Sequence, residues 1–399
     1  MKNVLHLAGV LSILLALFIT GASAQSEPDL LVRDNTAFAL KLYRQVSGTN
    51  GNCFFSPYSI STALAMTYAG ARGETEKQMA SALCFSLPQA DLHPAFSKLE
   101  SDVKAAQKEG IALSVANSLW PHKDYPFKDE YLSLIKREYG VSVTPVDYVK
   151  ETEKARTAIN DWVADRTQDK IRDLIQPGIL DPLTRLVLVN AIYFKGKWEQ
   201  SFKASDTREA SFFTAPGQAV TCQLMARKVK ARYATFPALD VLELPYAGGG
   251  MSMAVLLPKE ADGLPKLEQE LSPENLARWL GEAREQDVVV FLPRFRMTSL
   301  FRLDGTLTAM GMPDAFSRKS DFSGMDGTRD LYIGAVIHKA FVDVNEEGTE
   351  AAAATAVVMQ LRSMPKPSPV FRADHPFVFL IRENRTGSIL FMGRVSDPS

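Results

Sequence analysis

The chain has 399 residues, 46% of them hydrophobic, with 45 basic and 46 acidic side chains for a formal net charge of −1. That near-neutral balance argues against nucleic acid as the main partner, and the apolar content is that of a globular protein with a large core. Cys53, Cys84 and Cys222 are too few for a disulfide framework and form no Cys-x-x-Cys; free thiols are the simpler reading, one bridge plus one free thiol the other.

In chain order, Lys2, the apolar run Val4–Ile19 and the small-residue site Ala22-Ser23-Ala24 read as a secretory signal peptide over residues 1–24. Residues 25–399 are left as one domain, secreted to the extracellular space (or the periplasm of a bacterial host). No stable membrane anchor is expected, because no other apolar run approaches the ~20 residues that span a bilayer. Asp34 or Asn35 is the expected cap of a helix carrying Phe38, Leu42, Tyr43 and Val46. Ser56-Pro57 is a strong helix start, with Ile60, Leu64 and Tyr68 on one face and Gly70 as the stop. Residues 153–167 repeat the amphipathic pattern with Ile159, Trp162 and Val163.

Strand patterns dominate the second half. Leu186 to Phe194 is a β-favouring run broken only by Asn190, which suits a strand covered on both faces. Val241–Tyr246 and Ser252–Leu257 flank Ala-Gly-Gly-Gly as a hairpin. Val288–Leu292, Phe377–Ile381 and Ile389–Val395 follow, the last two joined by a Glu-Asn-Arg-Thr-Gly turn. Within that turn Asn384-Arg385-Thr386 matches a glycosylation acceptor, for which the tight turn is the simpler explanation. Helices gathered early and strands late predict an α+β fold.

Signals for catalysis are weak. His6, His93, His122, His338 and His375 include no His-x-x-x-His pair, and neither a Gly-x-Ser-x-Gly elbow nor a Gly-x-x-x-x-Gly-Lys loop occurs. Lys98, Lys104 and Lys108 are interleaved with Glu100, Asp102 and Glu109, so a solvated helix face is favoured over an anion site. The chain is expected not to be an enzyme and to need no cofactor or metal.

Residues 346–363 stand apart. Two acids and Gly348 lead through Thr349 and Glu350 into eleven uncharged residues, Ala351–Leu361, ending at Arg362 and followed by Pro365, Pro367 and Pro369. The stretch is too small-sided for a core strand and too apolar for a plain surface loop. As a strand it places Thr349, Ala351, Ala353, Thr355, Val357 and Met359 on one face.

This segment and several others resemble the serpin family nearly from end to end. The resemblance rests on Asn52–Ile60, the run Leu188–Trp198, His338-Lys339-Ala340, the hinge Glu346–Ala353, His375-Pro376-Phe377 and Phe391–Val395. It implies three β-sheets, about nine helices and an exposed reactive-centre loop at about 346–370. A target serine protease would cut the loop, and the loop would then insert into the central sheet before the acyl-enzyme is hydrolysed. Inserting about a dozen residues at ~1 kcal/mol per backbone hydrogen bond rivals a domain's stability of about 5–15 kcal/mol, so the uncut form would be a kinetic trap.

Counting about seventeen residues from Glu346 puts the reactive bond at Arg362–Ser363 and implies a secreted inhibitor of trypsin-like proteases, monomeric, with the protease as partner. One alternative is cleavage after Leu361, with a chymotrypsin-like or cysteine protease as target. Another is a non-inhibitory serpin acting as carrier or chaperone. The hinge comprises Glu346, Glu347, Gly348, Thr349, Glu350, Ala351, Ala352, Ala353 and Ala354. Ser56, Asn190 and His338 match the family's polar "shutter" beneath the sheet. Trp198, Arg294 and Glu346 match the "breach" where the loop enters, with an expected Arg294–Glu346 ion pair.

Overall fold

The structure is a computed structural model that describes residues 26–48, 51–349 and 367–399. Among these residues it has ten α-helices, against an expectation of about nine. Hydrogen bonds gather the strands into a six-stranded and a nine-stranded sheet. The larger sheet turns on one long strand, Gln218–Thr235, whose first half pairs with Arg208–Ala215 and whose second half pairs with Leu239–Pro245. Arg284–Pro293 runs along it through both halves. The three expected sheets are therefore the central sheet and two groups that share this strand.

The first helix begins earlier than expected, spanning Glu27–Val46 with Ser26 at its cap and a proline in its first turn. Asp34 and Asn35 are not caps but buried residues of its interior. Asp34 accepts hydrogen bonds from the Ser86 backbone and hydroxyl at 2.7 and 2.6 Å, and Asn35 accepts one from Ser61 at 2.6 Å. These bonds reach distant chain, although Arg33 also pairs with Asp34, so a cap motif read locally fails. The second helix, Pro57–Tyr68, starts as its sequence dictates: the Ser56 hydroxyl accepts the Ser59 N–H. Gly70 follows it for a packing reason, since a Cβ there would lie 2.2 Å from the Met325 side chain.

The Leu186–Lys197 strand lies at the heart of the central sheet and is covered on both faces. Ile192 and Phe194 belong to the main core, while Val189 and Ala191 join a second cluster under the Thr152–Arg166 helix. A continuous apolar run is what such a position requires.

The hairpin Leu239–Pro245/Met251–Pro258 and the C-terminal hairpin Phe377–Glu383/Ile389–Val395 form in antiparallel register. In the turn of the latter, the Asn384 amide donates to the Gly249 carbonyl at 2.9 Å, so the side chain has a structural task. Lys98 pairs with Asp102 and Lys104 with Glu100 along one helix, as a solvated face should. Arg394, inside the C-terminal strand, pairs with Glu268 at 2.9 Å and donates to the Ser47 carbonyl, tying the first helix to the sheet. The three cysteines are free thiols, and burial pushes the Cys53 thiol up to about 12.

Candidate functional site

The central sheet is a strand pair held apart at one end. Ile337–Asn345 and Leu186–Lys197 run parallel to each other and pair directly only at Lys339↔Ala191, Ala340↔Ile192 and Phe341↔Tyr193. Above those pairs the two-residue strand Gly348–Thr349 is wedged between them, antiparallel to both. Below them the strands separate over a cavity of about 350 Å³. The sheet is thus opened by the chain's own hinge at the top, closed in the middle and parted again at the bottom.

Gly348 makes the wedge sterically feasible. Its φ is +148°, and a Cβ added there would lie 2.0 Å from the Gly196 carbonyl oxygen. Gly196 is equally confined, because its own Cβ would meet the Phe194 and Tyr246 rings at 2.7 and 2.8 Å. Only a residue without a Cβ at position 348 can approach the Gly196 carbonyl this closely.

The breach residues surround this wedge. Trp198 is buried and stacks on Tyr246 with ring centroids 4.7 Å apart. Its indole N–H donates to the Asn345 carbonyl at 3.0 Å, and its backbone N–H donates to the Glu347 carbonyl at 2.8 Å. Arg294 Nε lies 3.6 Å from the Glu346 carboxylate, whose other oxygen accepts the Thr207 hydroxyl at 2.7 Å. The Phe202 N–H donates to the Glu346 carbonyl at 2.7 Å. Arg294 is half-exposed, so this ion pair is screened while the Trp198 stack is not. Accordingly, Trp198→Ala is expected to cost about 3–5 kcal/mol and Arg294→Ala less than about 1 kcal/mol, both read as shifts of a denaturant unfolding curve. A larger effect from Arg294→Ala than from Trp198→Ala would show that the charge, not the stack, fixes the hinge.

The shutter residues meet beneath the closed middle. Ser56 donates its backbone N–H to His338 Nε2 at 3.0 Å and its hydroxyl to the Leu390 carbonyl at 2.6 Å. Asn190 accepts the Ser59 hydroxyl at 2.6 Å and donates to the Ser59 carbonyl at 2.8 Å and to Asn117 at 2.7 Å. A polar residue inside an apolar strand is thereby satisfied. Because Nε2 accepts, the imidazole is neutral with its proton on Nδ1, which has no partner among the described residues. Burial lowers the His338 pKa to about 3.

Sequence reasoning did not single out Ser59, Asn117, Thr207 or Tyr246. Ser59 carries a signal, standing three residues after Ser56 at the start of one helix. Asn117 is a polar break in an otherwise strand-like run, and Tyr246 ends an expected hairpin strand whose pattern says nothing of its ring's partner, but Thr207 comes from a segment with no local mark. Glu350, Ala351, Ala352, Ala353 and Ala354 of the hinge, the bond Arg362–Ser363, Leu361 and the segment 1–24 lie outside the described residues.

The family model "Serpin (serine protease inhibitor)" matches residues 33–398. The pig leukocyte elastase inhibitor is 44% identical over 374 residues, covering 91% of this chain and 98% of that one. The mouse leukocyte elastase inhibitor A is 43% identical over 377 residues with the same coverage. Uncleaved ovalbumin has the same fold at a TM-score of 0.82 and 32% identity, covering 92% of this chain and 100% of that one.

The two inhibitors overturn the expectation of a trypsin-like target cut after Arg362. Both are named for an elastase, and an elastase specificity pocket is small, without the aspartate that a trypsin-type pocket offers to a guanidinium. With the family model spanning residues 33–398 and relatives above 40% identity covering nine-tenths of the sequence, the chain belongs to the serpin family.

Proposed function

We propose that this protein is a suicide-substrate inhibitor of chymotrypsin-like serine proteases of the elastase kind, cut between Leu361 and Arg362. The observation that carries the proposal is the hinge at Gly348–Thr349, already antiparallel to two strands that are parallel to each other. A strand continued from it would complete the sheet without reversing any neighbour. In the same register, Thr355 would stand opposite Asn190 on one side and His338 on the other, and Met359 opposite Leu186, the end of its strand. The small side chains from Ala351 onward suit passage through that gap, and Leu361 would emerge just beyond the bottom of the sheet.

The chemistry follows from the bait. The protease serine attacks the Leu361 carbonyl, the Arg362 amine leaves with a proton, and the acyl-enzyme remains on Leu361. Leu361 suits an apolar specificity pocket. Insertion then competes with water. Once the strand is seated, the tethered protease is pulled to the far end of the sheet, its oxyanion hole loses its alignment, and deacylation stalls.

Mixing the protein with elastase and with chymotrypsin is expected to give a covalent complex stable to boiling in detergent. The small released C-terminal fragment should begin at Arg362. Leu361→Asp should abolish the complex, while Arg362→Ala should leave it within about threefold, since a carboxylate cannot be desolvated in an apolar pocket. A fragment beginning at Ser363, or cleaved protein beside fully active protease, would overturn the assignment. The proposal extends to export: Lys2, Val4–Ile19 and Ala22-Ser23-Ala24 support a removable leader, and all precede the matched stretch. Protein recovered outside the cell should then begin at Gln25; protein retained inside with its leader intact refutes this.

A further inference from the structure

One charged residue, Glu350, separates the wedge Gly348–Thr349 from the uncharged run Ala351–Leu361. A strand that enters the sheet behind Thr349 must bring it in first. Carrying a carboxylate in among strands is costly unless it arrives beside a cation or in water. The register of the wedge fixes its destination. Thr349 stands opposite Gly196 on one neighbouring strand and Val344 on the other. One residue on, Glu350 would stand between Lys195 and Asp343.

These two side chains lie on the helix-side face of the sheet. Successive side chains of a strand point to opposite faces. Val189 and Ala191, in step with Lys195, pack under the Thr152–Arg166 helix, whereas Ile192 and Phe194 enter the main core. Val342 and Val344 are core as well, which turns Asp343 to the same side as Lys195. Beyond Asp343 the row continues to Arg296 on the Phe295–Arg302 strand, and beyond Lys195 to Ala112 on the Ile111–Pro121 strand. Asp343 therefore has a cation beside it, and Lys195 has no anion. Among the described residues neither Asp343 nor Lys195 is held in an ion pair. One row below, Lys170 and Arg296 lie 5.5 and 5.0 Å from the Phe341 ring centroid, so further positive charge borders the same place. Lys195 and Asp343 are both half-buried, where a matched charge counts for more than on an open surface.

We propose that Lys195 is a positioning residue for loop insertion: it receives the Glu350 carboxylate as the strand following Gly348–Thr349 enters the sheet. The inference rests on the proposed insertion mechanism. A place beside Asp343 alone repels a carboxylate, and Lys195 on the other side offsets that repulsion. The completed row Arg296, Asp343, Glu350, Lys195 has two cations and two anions, against two and one beforehand. Because Glu350 is the first residue past the wedge, its pairing forms early in insertion and acts on the contest with water at the acyl-enzyme.

Lys195→Glu, titrated as the intact chain against elastase, is expected to raise the ratio of cleaved to complexed protein about fivefold or more, since three carboxylates would then share one row. The denaturant unfolding curve of the uncut variant should not move. Glu350→Lys alone exchanges one partner for the other and should change the ratio less than about twofold, while the double variant Lys195→Glu/Glu350→Lys, with alternating signs, should bring it back to the original value or below. Should Lys195→Glu fail to fold, Lys195→Gln decides: a rise of about twofold, cancelled when Glu350→Gln is added. A deficit that is the same whatever stands at position 350, or no deficit, overturns the proposal. Protein already cut in the loop gives a second readout. It should melt well above the uncut form, and Lys195→Glu should lower that melting temperature in the cut form only, with recovery in the double variant. If elastase is not trapped yet the cut form melts higher, the proposed function fails and melting still decides the role of Lys195. If cutting does not raise the melting temperature, there is no insertion for Lys195 to guide, and the inference falls.

Discussion

Gly348→Val is expected to abolish covalent complex formation and yield cleaved protein beside active protease. The position has a φ of +148°, where a β-branched residue is strained, and its first side-chain atom would lie 2.0 Å from the Gly196 carbonyl and 2.6 Å from the Lys197 Cα. Backbone, not a flexible side chain, blocks it on that side, so relief requires the hinge to leave the sheet. Once out, the hinge no longer nucleates insertion, and water outruns the strand at the acyl-enzyme. A change of at least tenfold in the ratio of cleaved to complexed protein is expected in a stoichiometry titration against elastase. Ala351→Arg, which would carry an unpaired charge between the strands during insertion, should act in the same direction. Full complex formation by Gly348→Val would refute the wedge as the starting point of insertion.

Acid should loosen the fold at two buried histidines, His338 in the central sheet and His93 on the Gln89–Ala106 helix. Burial lowers the His338 pKa from 6.5 to about 3. Burial, aided by Arg72, lowers the His93 pKa to about 4. Both are neutral in the native state near pH 5, whereas in the unfolded chain they take up a proton below 6.5. The unfolded state therefore binds more protons, and stability that is complete above pH 6.5 is lost as the pH falls toward the folded values. The loss is about 2 kcal/mol for each histidine between pH 7 and 5. His375 works in the opposite direction, its stability being fully present below pH 6.5. Its pKa is raised, against the opposing effect of burial, by Asp374 and the Pro258 carbonyl on its two nitrogens, so its contribution is present in acid and fades on the alkaline side.

In denaturant unfolding from pH 7 to 5, His338→Gln is expected to lower stability at pH 7, because the Ser56 N–H loses its imidazole acceptor. The same change should halve the acid slope, leaving the share of His93. An unchanged slope would show that the His338 ring is not the group resisting protonation.

Much of this was legible in the sequence because it is local. Ser56-Pro57 specifies a helix start with a hydroxyl and a ring. The Leu186–Phe194 run specifies a doubly covered strand by having no polar face, and Asn190 declares itself by interrupting that run. The hinge is recognisable because small residues are concentrated where neither a core nor a loop would want them. The caps assigned to Asp34 and Asn35 failed for the complementary reason: their partners, Ser86 and Ser61, are remote in sequence, and burial outweighed a local motif. The bait was misjudged because a lone Arg362 in an uncharged run draws attention by contrast, while target preference depends on a pocket that belongs to another protein.

What the sequence by itself determined is the family, the hinge and the set of polar residues that must find partners. What only the tertiary structure decided is that Gly348 lies against the Gly196 carbonyl between two parallel strands, that the register of this wedge, if continued, would set one residue opposite both Asn190 and His338, and that the sheet is open at both ends yet joined in the middle. Composition and spacing act within a few residues of chain. Register, steric exclusion and the desolvation of His338 arise only when strands distant in sequence are brought side by side in a space closed to water.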